Sequence, residues 1–295
     1  MRSGFVGVIG RPNVGKSTLI NDIIGKKIAI TSNKPQTTRN IIQGIYNEED
    51  TQIVFVDTPG IHKPTHKLGK YLNKQAYYTT GDTDLLLFLI DASVDLGKGD
   101  LYIIEKLKEL NKPVILVMNK IDKLTNDEIL LKIAEYKDLY DFSEIVPVSA
   151  LKSRNVKTLV DVIKKYLPDS IKYYGDNDVT NKPLTFMISE IVREKVFHLT
   201  DEEVPHSITC IVEHMERNNN SYNINVVIIV DRDSLKKIII GKNGSKIKEI
   251  GIRARKELEE YLGRKVYLET FVKTIKKWRD KEKYLQEFGF KEIDE

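Results

Sequence analysis

The feature that most constrains the fold is a glycine-rich segment near the N-terminus. It follows directly on the apolar run Phe5–Ile9, and its pattern is Gly-x4-Gly-Lys-Ser. A strand that ends in such a loop, with a helix after it, is typical of a site that binds nucleotide phosphates through backbone amides and the helix N-terminus. The candidate phosphate-binding residues are Gly10, Arg11, Pro12, Asn13, Val14, Gly15, Lys16, Ser17 and Thr18.

Short apolar runs alternate with helical segments along the first 167 residues. The later runs are closed by a polar residue at their C-terminal ends: Asp57, Asp91, Asn119 and Ser149. Apolar strands separated by helices predict an α/β fold with a mostly parallel sheet that is covered on both faces. Because ligands bind at the carboxyl ends of such strands, we expect these polar residues to line a site.

Three residues are candidates for a magnesium site. The Ser17 hydroxyl follows the phosphate-binding lysine, and Asp57 ends a strand. Thr38 lies in the polar loop 32–39, where a threonine could complete the coordination only when a γ-phosphate is bound, which would make a switch. Thr37 is the alternative to Thr38.

A turn after the second apolar run adds further nucleotide contacts. We expect Asp57 to hold the magnesium shell and the amide of Gly60 to donate to the γ-phosphate. The turn consists of Asp57, Thr58, Pro59 and Gly60, and Ile61 follows it.

A second loop predicts which base is bound. The carboxylate of Asp122 only accepts hydrogen bonds, and guanine offers it two donors on one edge, whereas adenine has no such pair. A buried Asp left unpaired against adenine would discriminate strongly. The predicted base-binding residues are Asn119, Lys120, Asp122, Ser149, Ala150 and Leu151. Together with the phosphate loop, this set indicates a GTPase.

The residues that would carry hydrolysis are Asn13, Lys16, Thr38 and Gly60. Ile61 stands where many GTPases have a glutamine that orients the attacking water, so we expect a slow intrinsic rate. The side-chain oxygen of Asn13 could hold a potassium ion that neutralises developing charge. Asn13 is equally suited to stabilising the turn.

The chain changes character after residue 167. A polar segment with Gly175 in it predicts a linker at 168–182, between a GTPase domain at 1–167 and a smaller α+β domain at 183–295. Within the second domain the pattern predicts helix, strand, strand, helix, turn, helix and strand, and the last of these helices is a long one over Ser245–Leu262.

A Gly-x-x-Gly turn joins the last two predicted helices. Such a turn lets a nucleic-acid backbone approach amides and a helix N-terminus, with unstacked bases in an apolar groove alongside. Residues 236–283 contain 16 Lys or Arg against 7 Asp or Glu, which favours a polyanionic partner. The candidate RNA-binding residues are Ile240, Gly241, Lys242, Asn243, Gly244, Lys246, Lys248, Lys276, Lys277 and Trp278. Trp278 is either a base-stacking platform or packed inward.

Composition sets further limits. Cys210 is the single cysteine, so no disulfide forms within the chain, and it reads as a small buried hydrophobe. No window reaches the ~18 apolar residues that a membrane span needs. We expect a cytoplasmic monomer, and peripheral contact with the inner face of the cell membrane stays open.

These motifs together resemble the Era family of ribosome-assembly GTPases, and the likeness extends over almost the whole chain. Segments Pro35–Arg39, Ile61–Pro64 and Leu285–Phe290 carry it beyond the two glycine loops. The resemblance implies a type II KH domain, which binds the 3′ end of small-subunit ribosomal RNA, and a GTP-dependent role in small-subunit maturation. It also implies that Ile61 is usual for this family, which lacks the catalytic glutamine at that position. An RNA chaperone with negligible turnover and an ATP-driven RNA remodelling enzyme are the alternatives.

Overall fold

The computed structural model describes residues 1–32, 34, 37–59, 66–200 and 204–290 of the 295-residue chain. Its residues fall into two compact units. The first comprises Met1–Lys63 and Tyr71–Asn181, and the second comprises Pro64–Lys70 and Lys182–Glu295. Two separate sheets are formed, one of six strands and one of three. No helix in these described ranges is long and apolar enough to cross a membrane.

The elements up to residue 167 alternate as the sequence predicts. In chain order they are β1 (Arg2–Gly10), α1 (Lys16–Ile24), β2 (Ile42–Glu48), β3 (Thr51–Asp57), α2 (Lys67–Gly81), β4 (Leu85–Asp91), α3 (Lys98–Leu107), β5 (Val114–Asn119), α4 (Asn126–Tyr136), β6 (Glu144–Pro147) and α5 (Val156–Tyr166). Strand β2 and helix α2 were not predicted. The short edge strand β2 mixes polar with apolar residues, so its sequence lacks the continuous apolar run that marks the inner strands.

The six-stranded sheet has the order β2-β3-β1-β4-β5-β6. Only the β2–β3 pair is antiparallel, so the predicted mostly parallel sheet is confirmed. Residues Leu85–Ile90 of β4 are completely buried, as expected for an inner strand with both faces covered. Asp91 pairs with Asn119 and Val8 with Asp57, so the polar strand ends meet at one edge of the sheet.

The segment that the sequence predicts as a linker is bonded to the first unit as far as residue 181. Gln52 of β3 is completely buried, and its side-chain oxygen accepts from the backbone amides of Tyr173 (2.8 Å) and Tyr174 (3.0 Å). The amide of Ile45 in β2 donates to Val179 O at 3.0 Å. The segment that makes these hydrogen bonds is polar and mostly exposed, so no apolar pattern in its sequence predicts them. The domain boundaries stay a prediction.

The second unit contains a mixed sheet with helices. Its elements are α6 (Leu184–Leu199), β7 (Ile208–Arg217), β8 (Ser221–Val230), α7 (Asp233–Ile240), α8 (Ser245–Leu262), β9 (Lys265–Thr274) and α9 (Glu282–Glu287). The sheet order is β7-β8-β9, with β7–β8 antiparallel and β8–β9 parallel. One apolar cluster joins α6, α7 and α8 to this sheet and includes the buried Cys210. The predicted α+β order is confirmed.

Candidate functional site

The phosphate loop between β1 and α1 requires glycine at both of its ends. Gly10 has φ 155° and Gly15 has φ 102°. A Cβ atom on Gly10 would lie 2.3 Å from Leu89 O, and one on Gly15 would lie 2.3 Å from Asn119 Nδ2. The sequence thus places glycine where a side chain would collide and where the backbone is left-handed.

The carbonyl groups of this loop are held by side chains of the protein. Lys16 Nζ donates to Gly10 O and Arg11 O, both at 3.1 Å. Lys120 Nζ donates to Asn13 O at 2.8 Å, and Asn119 Nδ2 donates to Val14 O, also at 2.8 Å. A loop whose carbonyls are engaged in this way can offer its amides to an anion.

Lys16 is buried at the base of the loop. Burial lowers its pKa to about 8, and the nearby Asp57 carboxylate acts in the opposite direction. A bound phosphate would favour the charged form of this lysine, so the lysine is suited to binding an anion.

The three candidate magnesium ligands lie together. Ser17 Oγ donates to Asp57 Oδ2 at 2.8 Å, and Thr38 Oγ1 lies 3.0 Å from Ser17 Oγ and 3.3 Å from Asp57 Oδ2. Thr37 instead donates to Lys34 O at 2.6 Å. Asp57 is completely buried, and its Oδ1 has no hydrogen-bond partner in the described part of the chain. Burial raises the pKa of Asp57, against the effects of Lys16, Ser17 and Thr38.

This oxygen-rich set fits a hard divalent cation. Hydroxyl and carboxylate oxygens are what Mg²⁺ prefers, and it usually binds one or two carboxylates with substrate phosphates and water. A cation at Asp57 would also satisfy its unpartnered oxygen. Thr58 has another function, since its hydroxyl donates to Val8 O at 2.9 Å. Gly60 and Ile61 lie outside the described residues.

The base-binding loops are braced by hydrogen bonds. Asn119 Oδ1 accepts from the amide of Ala150 at 3.0 Å, and Lys120 has a left-handed backbone with φ 67°. Lys120 Nζ also donates to Asp91 Oδ2 at 2.6 Å. Burial alone would raise the pKa of Asp91, but Lys120 and Ser93 bring it below its usual value. From the sequence, Asp91 is expected to line the site, but its ion pair with Lys120 was not predicted.

Asp122 and Leu151 lie where a base could reach them. Ser149 Oγ donates to Asp122 Oδ1 at 2.5 Å. The sequence argument used a buried Asp122, whereas the side chain is exposed here, as is Leu151. The preference for guanine over adenine therefore arises only once a bound base covers the carboxylate of Asp122.

The second glycine turn lies between α7 and α8. Gly241 has φ 72° and Asn243 has φ 51°, and Gly244 caps α8 with φ 73°. A Cβ atom on Gly241 would lie 2.8 Å from the Cβ of Lys246. The remaining predicted lysines, Lys242, Lys248, Lys276 and Lys277, are exposed, and Ile240 is half-buried.

An open groove of about 290 Å³ follows this turn. It combines apolar side chains with cations, as single-stranded RNA requires. Its lining residues are Ile247, Lys248, Gly251, Ile252, Arg255, Leu268 and Thr270. Most were missed from the sequence, although the spacing of residues 248, 251, 252 and 255 is that of one helix face.

Trp278 is packed inward, so its prediction as an RNA-binding residue is wrong. Its side chain is completely buried, and its Nε1 donates to Ser207 O at 3.1 Å. The ring packs edge-on against Phe288 and stacks with Phe290. The aromatic residues of the last helical segment bury the indole, which leaves no face for a base.

Two family models match the chain. One, described as 50S ribosome-binding GTPase, matches residues 5–120, and one described as KH domain matches residues 203–279. The first covers the phosphate loop and, of the proposed base-binding residues, Asn119 and Lys120. The second covers the second glycine turn.

Two solved structures are similar over nearly the whole chain. One is an Aquifex aeolicus Era variant bound to GDP and AlF4⁻, and the other is Era in complex with MgGDPNP and nucleotides 1506–1542 of 16S ribosomal RNA. Each is 44% identical to this chain, with a TM-score of 0.94. Each match covers 98% of this chain and 99% of the chain in the solved structure. The chain therefore belongs to the Era family of GTPases.

Proposed function

We propose that this chain binds and hydrolyses GTP, and that it binds the 3′ end of small-subunit ribosomal RNA during assembly of the small ribosomal subunit. The observation that supports this most is its 44% identity, over 98% of the chain, to an Era structure that contains both MgGDPNP and 16S ribosomal RNA. The residues of both glycine loops are present with the geometry described above.

One of the two family models is described by the large (50S) ribosomal subunit rather than by the small one. The family model described as 50S ribosome-binding matches only residues 5–120, whereas the RNA complex is similar over both units. Because RNA recognition is argued from the second unit, we give the RNA complex more weight. Binding to purified large subunits but not to small ones would reverse this choice.

In the nucleotide site we propose that residues 10–18 surround the phosphates, with Lys16 supplying a positive charge. Asp122 would accept from the guanine edge, and Ser149, Ala150 and Leu151 would complete the base pocket. Ser17, Thr38 and Asp57 would hold Mg²⁺, which when bound neutralises charge on the phosphates. The Gly60 amide is proposed to donate to the γ-phosphate.

For hydrolysis we propose a slow rate, because Ile61 cannot orient water. We also propose that the side-chain oxygen of Asn13 holds K⁺ beside the phosphates. The left-handed backbone of Asn13 (φ 66°) is equally consistent with a turn-stabilising asparagine. The two interpretations differ in whether the monovalent cation affects the rate.

In the RNA site we propose that the turn Gly241–Gly244 clamps the backbone while bases enter the groove along α8 and β9. Lys242, Lys246, Lys248, Lys276 and Lys277 would contact phosphates. We also propose that Ile252 and Arg255, which line the groove, contact the RNA.

We further propose a monomer in the cytoplasm, with peripheral contact at the inner face of the cell membrane. A vesicle flotation assay with anionic lipid that recovers none of the protein would refute the membrane contact.

Replacing Thr38 tests the magnesium site. Thr38→Ala should lower the ratio of GTP-analogue affinity to GDP affinity about tenfold, since it removes a ligand needed only with the γ-phosphate. Thr37→Ala is the matched control and should leave the ratio nearly unchanged. Calorimetric titrations in Mg²⁺ would measure both ratios, and a larger effect from Thr37→Ala would exchange the two assignments.

Replacing Asn13 by glycine separates the two roles of that residue. Glycine adopts a left-handed backbone without strain but has no side-chain oxygen. If K⁺ is bound, the wild type should hydrolyse GTP about tenfold faster in K⁺ than in Na⁺, and Asn13→Gly should lose that difference. Equal wild-type rates in both salts would remove the cation from the mechanism.

The two glycine loops should be separable by mutation. Lys16→Ala should abolish nucleotide binding and leave RNA affinity nearly unchanged. Gly241→Asp should weaken binding of a single-stranded RNA of the 16S 3′-end sequence about tenfold or more, because it adds negative charge at the phosphate clamp and a Cβ that crowds Lys246. GDP affinity should stay intact in that variant.

Gly263→Asp is the control for the second change. Gly263 is also left-handed (φ 62°), but it lies at the opposite end of α8. The Gly263→Asp variant should therefore bind RNA nearly as tightly as the wild type does. If Lys16→Ala and Gly241→Asp each remove both activities from folded protein, the two-site proposal is wrong.

A further inference from the structure

Arg11 of the phosphate loop directs its side chain toward the start of α3. Its Nε lies 2.9 Å from Asp100 Oδ1, and the two side chains form an ion pair. Asp100 is completely buried, whereas the side chain of Arg11 is 28% exposed. The contact between Nε and Oδ1 is one of charge, without the geometry of a hydrogen bond. Removing one partner of a buried ion pair leaves the other charge uncompensated, which is costly.

The backbone around Asp100 is shaped to accept the arginine. A Cβ atom on Gly97 would lie 2.7 Å from Arg11 Nη1, and one on Gly99 would lie 2.7 Å from Arg11 Cδ. Asp100 Oδ2 accepts from the amide of Gly97 at 3.0 Å, which caps α3. Gly97, Gly99 and Asp100 thus form a cradle for one side chain of the phosphate loop.

The same loop segment is held a second time nearby. Arg11 O accepts from Lys16, and Asn13 O accepts from Lys120, which is itself bound by Asp91. Pro12, between them, has no N–H group and a fixed φ. The phosphate loop is therefore held on both sides of the proline, by Asp100 at the start of α3 and by Lys120, which pairs with Asp91 at the end of β4.

We propose that Arg11 is a positioning residue for nucleotide binding, acting through its ion pair with Asp100. The pair holds the first half of the phosphate loop in the shape that receives a nucleoside diphosphate, and it thereby lengthens the residence time of the nucleotide. In this proposal the backbone of Arg11 stays among the residues that surround the phosphates, but its side chain does not contact them, because moving there would leave Asp100 buried without a cation. The proposal concerns nucleotide binding and is independent of RNA.

The experiment measures the release rate of a fluorescent GDP from the full chain. Arg11→Met keeps the apolar stem in the cradle but removes the charge, and Asp100→Asn keeps an acceptor for the Gly97 amide. Each should speed GDP release about tenfold. If the two residues act as a pair, the double variant should release GDP no faster than either single variant.

Steady-state kinetics separate positioning from catalysis. Both single variants should raise KM while kcat stays within about threefold of the wild type, as expected for a lost binding interaction. Lys106→Ala is the matched control, because it breaks an exposed ion pair with Glu109 on the same helix. Its release rate should equal that of the wild type, and melting temperatures identify variants that do not fold.

Three results would overturn the proposal. Unchanged GDP release in Arg11→Met would show that the pair does not position the loop. Additive effects in the double variant would show that the residues act separately. A fall in kcat of about a hundredfold with unchanged KM would make Arg11 a catalytic residue instead. A wild-type chain that binds no GDP would contradict the proposed function itself.

Discussion

The nucleotide site depends on one buried amide side chain, that of Asn119. Its Nδ2 holds Val14 O of the phosphate loop at 2.8 Å, and its Oδ1 accepts from the amide of Ala150 at 3.0 Å. A single residue at the end of β5 therefore joins the loop that would hold phosphates to the loop that would hold the base. Its closeness also explains Gly15, since any Cβ there would collide with the same Nδ2.

The two glycine loops use the same local chemistry in different surroundings. In the first, Lys16 at the start of α1 and Asn119 and Lys120 at the end of β5 engage the loop carbonyls. In the second, both glycines have a left-handed backbone, a Cβ on Gly241 would crowd Lys246, and exposed lysines lie nearby. This contrast fits a nucleotide site of demanding geometry and an RNA site dominated by charge and an open groove.

Much of this could be predicted from the sequence because the motifs are local. The helices Lys16–Ile24 and Ser245–Leu262 lie as predicted, since glycine turns and apolar periodicity fix short stretches of backbone. The cradle at Asp100 and the bonds of Gln52 to residues 173 and 174 could not be predicted, because they join residues distant in the sequence. The burial of Trp278 was not predicted for the same reason, since its Nε1 donates to Ser207 O, 71 residues earlier in the chain.

The central claim is that Asn119 unites the phosphate and base loops, and Asn119→Asp tests it most directly. This change keeps the acceptor for Ala150 and replaces the donor to Val14 O by a second oxygen. Calorimetry should compare GDP with GMP, whose affinity ratio reports the contribution of the second phosphate. We predict that this ratio falls about tenfold or more in Asn119→Asp, because the phosphate loop is released. Equal losses for GDP and GMP, with an unchanged ratio, would show that Asn119 serves the base loop alone and would contradict the account.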